Sequence, residues 1–286
     1  MSANVKAKAL RGAKIRARIL RTLVYLGAAF SMCVLLLIVG YILIKGVPNL
    51  NLDLFAWTYN TENVSLMPAL VNTLFMTALS LLIAVPLGIG AAIYLTEYAR
   101  RGNRLVKLVR ITAETLSGIP SIIYGLFGSL FFVVALKMGL SLISGALTLS
   151  IMVLPLIMRT TEEALLAVPD SYREGSFGLG AGRLRTTFKA VLPSATPGIL
   201  SGIILAIGRI VGETAALIYT AGTIPEIAEG LFDSTRTLAV HMYTISTEGL
   251  YINQSYATAV VLLVIVIGIN ALSSFVAGRI GGNRHG

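Results

Sequence analysis

At 286 residues the chain is 56% hydrophobic and only 13% charged, with a mean hydropathy of +0.83. That composition excludes a water-soluble domain, whose single core has no room for so much apolar surface. The formal net charge of +10 would suit a nucleic-acid partner, but the cations fall between apolar runs, where they orient membrane helices instead.

A helical span requires about 20 mostly apolar residues. Windows of that kind lie at 21–44, 70–95, 111–136, 140–158, 196–222 and 256–277, which predicts an all-α, polytopic protein with six transmembrane helices. Residues 1–20 form a basic N-terminus. A basic start before an apolar run also fits a secretory signal peptide, but the run to Ile44 is longer than a signal core and Lys45-Gly46-Val47-Pro48 is a poor cleavage site. The single cysteine, Cys33, lies in the first span, so the sequence offers no intramolecular disulfide and no cysteine metal cluster. Between the second and third spans stand Arg100, Arg101, Arg104, Lys107 and Arg110, and within the third Gly118 and Pro120 interrupt the helical pattern.

The core of spans runs over 70–277, with two long connections at 159–195 and 223–255. Cations of the first connection, with Arg279 and Arg284 in the tail 278–286, fall on the same side as the N-terminus, against only Lys45, Lys137 and Arg236 opposite. The positive-inside rule therefore puts both termini in the cytoplasm. The external connection, which holds Arg236, His241 and several acids, reads as a solvated cap. In the cytoplasmic one, Ser171-Tyr172-Arg173-Glu174 has the spacing of a capping box, and Pro169 blocks continuation of the preceding helix. Gly178, Gly180 and Gly182 permit a sharp turn, after which a second short helix runs from about Arg183 to Val191, stopped by Pro193.

The fifth window contains the costliest placement in the chain. Arg209 stands midway between residues 196 and 222, and a charge at mid-membrane costs roughly 2.5–3.5 kcal/mol on insertion scales. Glu213 follows one helical turn later, so Gly198, Gly202, Ala206, Arg209, Glu213, Ala216 and Thr220 share one stripe of small and polar residues facing the bundle interior. Arg209 reads either as a station for a passing oxyanion, with Glu213 holding the guanidinium, or as half of a buried ion pair. Glu114 is a further pathway candidate, although its place four residues after Arg110 also fits a helix-surface pair. Ser121 and Tyr124 flank the Pro120 break, where hydroxyls either reach the path or pack. No Gly-x-x-x-x-Gly-Lys-[Ser/Thr] occurs, so ATP chemistry has no home here. Two histidines and one cysteine support neither a metal site nor a nucleophile triad.

Glu174, Gly180, Leu192 and Pro193 stand where the signature loop of bacterial ABC importer permeases keeps its Glu, Gly and terminal Leu-Pro, and the chain resembles that family. Gly175-Ser176 in place of an alanine pair and Ala190 at a position more often Ile or Val depart from the pattern. Ile119 to Gly128, Ile93 to Ala99, Gly212-Glu213-Thr214-Ala215 and Asn253 to Ala259 are similar to phosphate-specific transport permeases, and the length and C-terminal stretch resemble the PstA type. The resemblance implies a MetI-like permease fold and a subunit that is not an enzyme, has no catalytic residues, and binds no cofactor or metal. It further implies a bacterial inner-membrane importer with a second permease subunit, two ATP-binding subunits that hold the ATP, an external phosphate-binding protein and surrounding membrane lipid. It gives Glu174, Gly180, Leu192 and Pro193 the task of ATPase coupling, and Arg209 and Glu213 positions implicated in phosphate passage. A permease for sulfate or molybdate, or an autonomous secondary transporter or channel, is the alternative.

Overall fold

A computed structural model describes residues 3–100 and 102–282; of the cations named above, Arg101 and Arg284 lie outside the described residues. Helix α1 (Ala3–Gly46) supplies the first span, and α2 (Met67–Ile93), prolonged by a π turn over Tyr94–Tyr98, the second. The third apolar window is not one straight crossing. α3 (Arg104–Ser117) and α4 (Ser121–Gly128), the latter extended by a π segment to Ala135, meet at a bend of 103°. Gly118 ends α3, and Pro120, extended at ψ 141°, has no N–H to continue it. α5 (Leu142–Leu166) is the fourth span and reaches eight residues past its predicted end at 158.

Beyond Pro169 come α6 (Asp170–Gly178) and α7 (Arg183–Thr186). The proline does separate α5 from α6, but Ser171 and Glu174 form no capping box: the N-cap position is Pro169 itself, two residues earlier than expected, and makes no side-chain cap bond. Nor does Pro193 stop the following helix. A π turn over Thr187–Val191 widens the backbone just ahead of the ring, where an ordinary α turn would clash with it, and α7 continues into α8 (Leu192–Val211) as one span from Arg183 to Val211. That span therefore ends eleven residues before its predicted limit at 222. The short α9 (Ala215–Ile218), then α10 (Leu238–Thr247) and the last span in α11 (Ile252–Gly282), complete the order.

α5 lies at the centre, with α2 and α8 packed on it, whereas α1 touches the rest mainly through α11. Lipid tails are as apolar as leucine, so close backbone approach, rather than exclusion of water, joins these helices. A Cβ on Gly198 would stand 2.6 Å from the Ala164 Cβ, and one on Gly202 would collide with Thr160. The small-residue stripe of α8 is thus the seam with α5 as far as Ala206, itself fully buried. At α4, a Cβ on Gly125 would lie 2.7 Å from the Ala216 Cα, so α4 and α9 meet backbone to backbone.

At the end of the bundle away from most cations, the segment 223–255 is more than a solvated cap. The Asn72 amide donates to the Glu226 carbonyl (2.8 Å) and accepts from the Ala228 N–H (3.0 Å), and the Leu238 N–H donates to Thr73 Oγ1 (2.8 Å). These bonds fasten the segment to α2 and draw Arg236 and His241 inward, to 4% and 0% exposure. Arg236 lies over the Tyr59 ring at 4.7 Å, and the same ring meets His241 edge-on. Burial first, then the Arg236 charge, lowers the His241 imidazole from 6.5 to about 3. The folded protein therefore keeps it neutral, while the unfolded chain takes up a proton below about pH 6.5. The stability this group contributes is present above that pH and is lost as pH falls toward 3. In His241→Gln the decline of the thermal midpoint between about pH 7 and 5 should be shallower than in the parent; parallel slopes would contradict the assignment.

Candidate functional site

Two places concentrate polar chemistry, one at the break after α8 and one at the basic end of the bundle. At the break, Arg209 occupies the last turn of α8, where the free carbonyls of a helix end favour a cation. It is half-buried, and among the described residues no carboxylate lies within salt-bridge distance of it. Glu213, 8% exposed, does not hold the guanidinium as the one-turn spacing suggests. The helix has ended at Val211, and Glu213 Oε1 accepts from the Ala216 N–H at 3.1 Å, capping α9. Tyr124 of α4 shares one buried cluster with Ile210, the neighbour of Arg209 in α8, and with Ala216 of α9. Its hydroxyl donates to the Leu116 carbonyl at 2.8 Å, a group at the end of α3 that also accepts from the Ile119 N–H, so the ring is held in place. Ser121 lies one turn before Tyr124 at the start of α4.

Glu114 belongs elsewhere. Its side chain is 73% exposed and stands 4.0 Å from the Arg159 guanidinium of α5, while Arg110 pairs with Glu162 of α5 at 2.5 Å rather than with Glu114. Side chains four apart on α3 thus each find a partner on α5, and the pairs tie the two helices together. Tyr124 therefore shares the α8 break with Arg209 and Glu213, whose carboxylate is engaged; Ser121 stays at the α3–α4 bend, and Glu114 joins the ion pairs.

At the basic end, α6 closes with two bonds that reverse the chain: the Gly180 N–H donates to Phe177 O (2.9 Å) and the Ala181 N–H to Ser176 O (3.1 Å). Gly180 has φ +80°, a conformation costly for any residue with a Cβ, whereas Gly178 is helical and Gly182 extended, so only the middle glycine of the three is required by the turn. Ser176 Oγ meets Thr186 Oγ1 at 2.8 Å and fixes α6 against α7. Glu174 is exposed on α6, and Leu192 and Pro193 begin α8.

The residue that anchors this unit is Arg173, in sequence one more cation of the 159–195 connection. Its Nη2 donates to Glu97 Oε1 (2.7 Å) at the end of α2 and to the Leu165 carbonyl (3.0 Å); its Nη1 donates to the Val168 carbonyl (2.9 Å) and to Asp170 Oδ1 (3.2 Å). The guanidinium is 16% exposed and the Glu97 carboxylate 9%. The hydrogen bond to Glu97 outweighs burial and raises Arg173 above its ordinary value. One side chain thus joins α6, the last turn of α5 and the π turn after α2. The signal in the sequence was Glu97 itself, a carboxylate at the basic end of a span and so in need of a cation.

Among the described residues, no three His, Cys, Asp or Glu side chains gather as a metal would require. Residues 84–281 match the protein family described as binding-protein-dependent transport system inner membrane component. A probable ABC transporter permease protein, YqgI of Bacillus subtilis, is 36% identical over 239 residues, covering 78% of this chain and 81% of the relative. The phosphate transport system permease protein PstA of Mycobacterium leprae is 34% identical over 226 residues, covering 75% and 73%. Among solved structures, the inward-facing MetNI methionine ABC transporter superposes with a TM-score of 0.58 at 22% identity, over 73% of this chain and 93% of that one.

Proposed function

The chain belongs to the family of binding-protein-dependent transport system inner membrane components, and from that premise we propose that it is a PstA-type permease subunit of an ATP-driven phosphate importer. Its basic end, with both termini, faces the cytoplasm. With a second permease it forms the translocation path, and an external phosphate-binding protein delivers the ion. The observation that carries this reading is the unpaired Arg209 at the α8 break. A guanidinium stays charged at every physiological pH and meets phosphate oxygens with a planar fork, and among the described residues no carboxylate competes for it. The similarity to a protein named as a phosphate permease supports phosphate over other oxyanions.

α6 and its Gly180 turn serve as the coupling segment, docking on one of two ATPase subunits, and Arg173 carries their movement to α2 and α5. Gly180→Trp would force a bulky residue to φ +80°, a strain of about 1–3 kcal/mol, and should lower ATP-driven uptake at least tenfold; normal uptake would remove the coupling role. The test of the whole reading is reconstitution. Vesicles holding both permeases and the ATPase subunits should accumulate labelled phosphate when binding protein and ATP are supplied. Vesicles holding this chain alone should accumulate none under an imposed ion gradient, and accumulation there would establish a secondary transporter instead.

A further inference from the structure

The turn after α2, the start of α3 and the facing sides of α6 and α7 enclose a cleft of about 980 Å³ at the basic end of the bundle. Six cations line it: Arg100, Arg104, Lys107, Arg110, Arg173 and Arg183. The two carboxylates on its wall, Glu97 and Asp170, are both bound by Arg173, and Arg110 is bound to Glu162. Arg100, Arg104, Lys107 and Arg183 remain, with no carboxylate within salt-bridge distance among the described residues. Orientation of a membrane protein accounts for cations at this end. It does not account for four unpaired ones converging on a concave surface, where low-dielectric walls focus their field and draw in an anion.

The surroundings identify the anion. α3 starts in the cleft wall and presents Leu105, Leu108, Val109 and Ile111 outward, all exposed, directly beside the basic residues. A cationic recess bordered by an apolar helix face, at the end of a span, has the chemistry of a phospholipid: phosphate in the recess, chains along the helix. A soluble polyphosphate would satisfy the charges and leave the apolar face bare. The cleft is also distinct from the surface offered to an ATPase, because Asp170, Arg173 and Phe177 of α6 face it while Ser171, Tyr172 and Gly175 line a separate groove.

We propose that this cleft binds the phosphate ester of one anionic phospholipid, which bridges the α2–α3 connection to the α6–α7 unit. The test uses the full importer assembly in detergent, titrated with dioleoylphosphatidylglycerol while bound lipids are counted by native mass spectrometry. One tight site per copy of this chain is expected, absent for phosphatidylcholine. Combining Arg104→Gln, Lys107→Gln and Arg183→Gln should weaken it on the order of 100-fold; should that variant fail to assemble, Lys107→Gln alone should weaken it about fivefold. Inorganic phosphate and inositol hexakisphosphate at millimolar concentration should not displace the lipid. Unchanged binding in the variants, equal binding of phosphatidylcholine, or displacement by either soluble anion would overturn the proposal. The readout is independent of which ion the importer carries, so it stands or falls separately from the phosphate assignment.

Discussion

Arg173→Met should be the most damaging single substitution outside the α8 break. It removes two charge partners and two carbonyl ligands at once, and leaves Glu97 buried at 9% exposure without a cation. Breaking a largely buried pair from one side costs about 3–5 kcal/mol, so the thermal midpoint of the purified assembly should fall by several degrees. Uptake should fall further than stability alone explains, because α6 then moves without drawing α2 and α5 with it. Arg173→Lys keeps the charge but cannot hold Glu97, Leu165 and Val168 together, and should recover only part of the stability. In a double-mutant cycle, adding Glu97→Gln to Arg173→Met should cost much less than Glu97→Gln costs in the parent, since the partner is already gone. An unchanged midpoint in Arg173→Met would show that the clamp holds nothing.

Arg209→Gln tests the pathway. The amide preserves length and some hydrogen bonding but removes the charge, and a hydrogen bond to a charged group contributes about 1.5–3 kcal/mol. Uptake should therefore drop about 10- to 100-fold, with the permease pair and its ATPase subunits still assembled. Because Glu213 caps α9 instead of holding Arg209, Glu213→Gln, which keeps an acceptor for the Ala216 N–H, should transport nearly normally. Glu213→Ala should lose about 1 kcal/mol of stability with the cap. If Arg209→Gln disrupts assembly, or if Glu213→Gln abolishes uptake as Arg209→Gln does, Arg209 acts as a structural brace and not as a station for the ion.

Much of the fold was legible in the sequence because membrane spans announce themselves in one dimension. The apolar windows found α1, α2, α5 and α11, and Pro169 correctly separated α5 from α6. Local backbone rules also found the turn at Gly180, whose φ of +80° is the reason a glycine stands there. The same local rules failed where the backbone departs from α geometry. Pro193 looks like a stop in the sequence because a π turn, which makes room for it, leaves no plain mark in composition. The α8 end at Val211 leaves little mark in hydropathy, because apolar residues continue on both sides of Gly212 and Glu213 and a window average has no regard for a capping carboxylate. Contacts across the sequence were the least accessible. Glu97 and Arg173 are 76 positions apart, and Arg110 turned from its neighbour Glu114 to Glu162 on another helix; periodicity describes one helix at a time and is silent on which face meets which.

The most direct test of the transport assignment is a competition for uptake. Vesicles carrying the full assembly with its binding protein should take up labelled phosphate only with ATP, and a hundredfold excess of sulfate or molybdate should leave the rate unchanged. Uptake suppressed by either oxyanion to the level reached with unlabelled phosphate would contradict a phosphate importer and make this chain the permease of another anion.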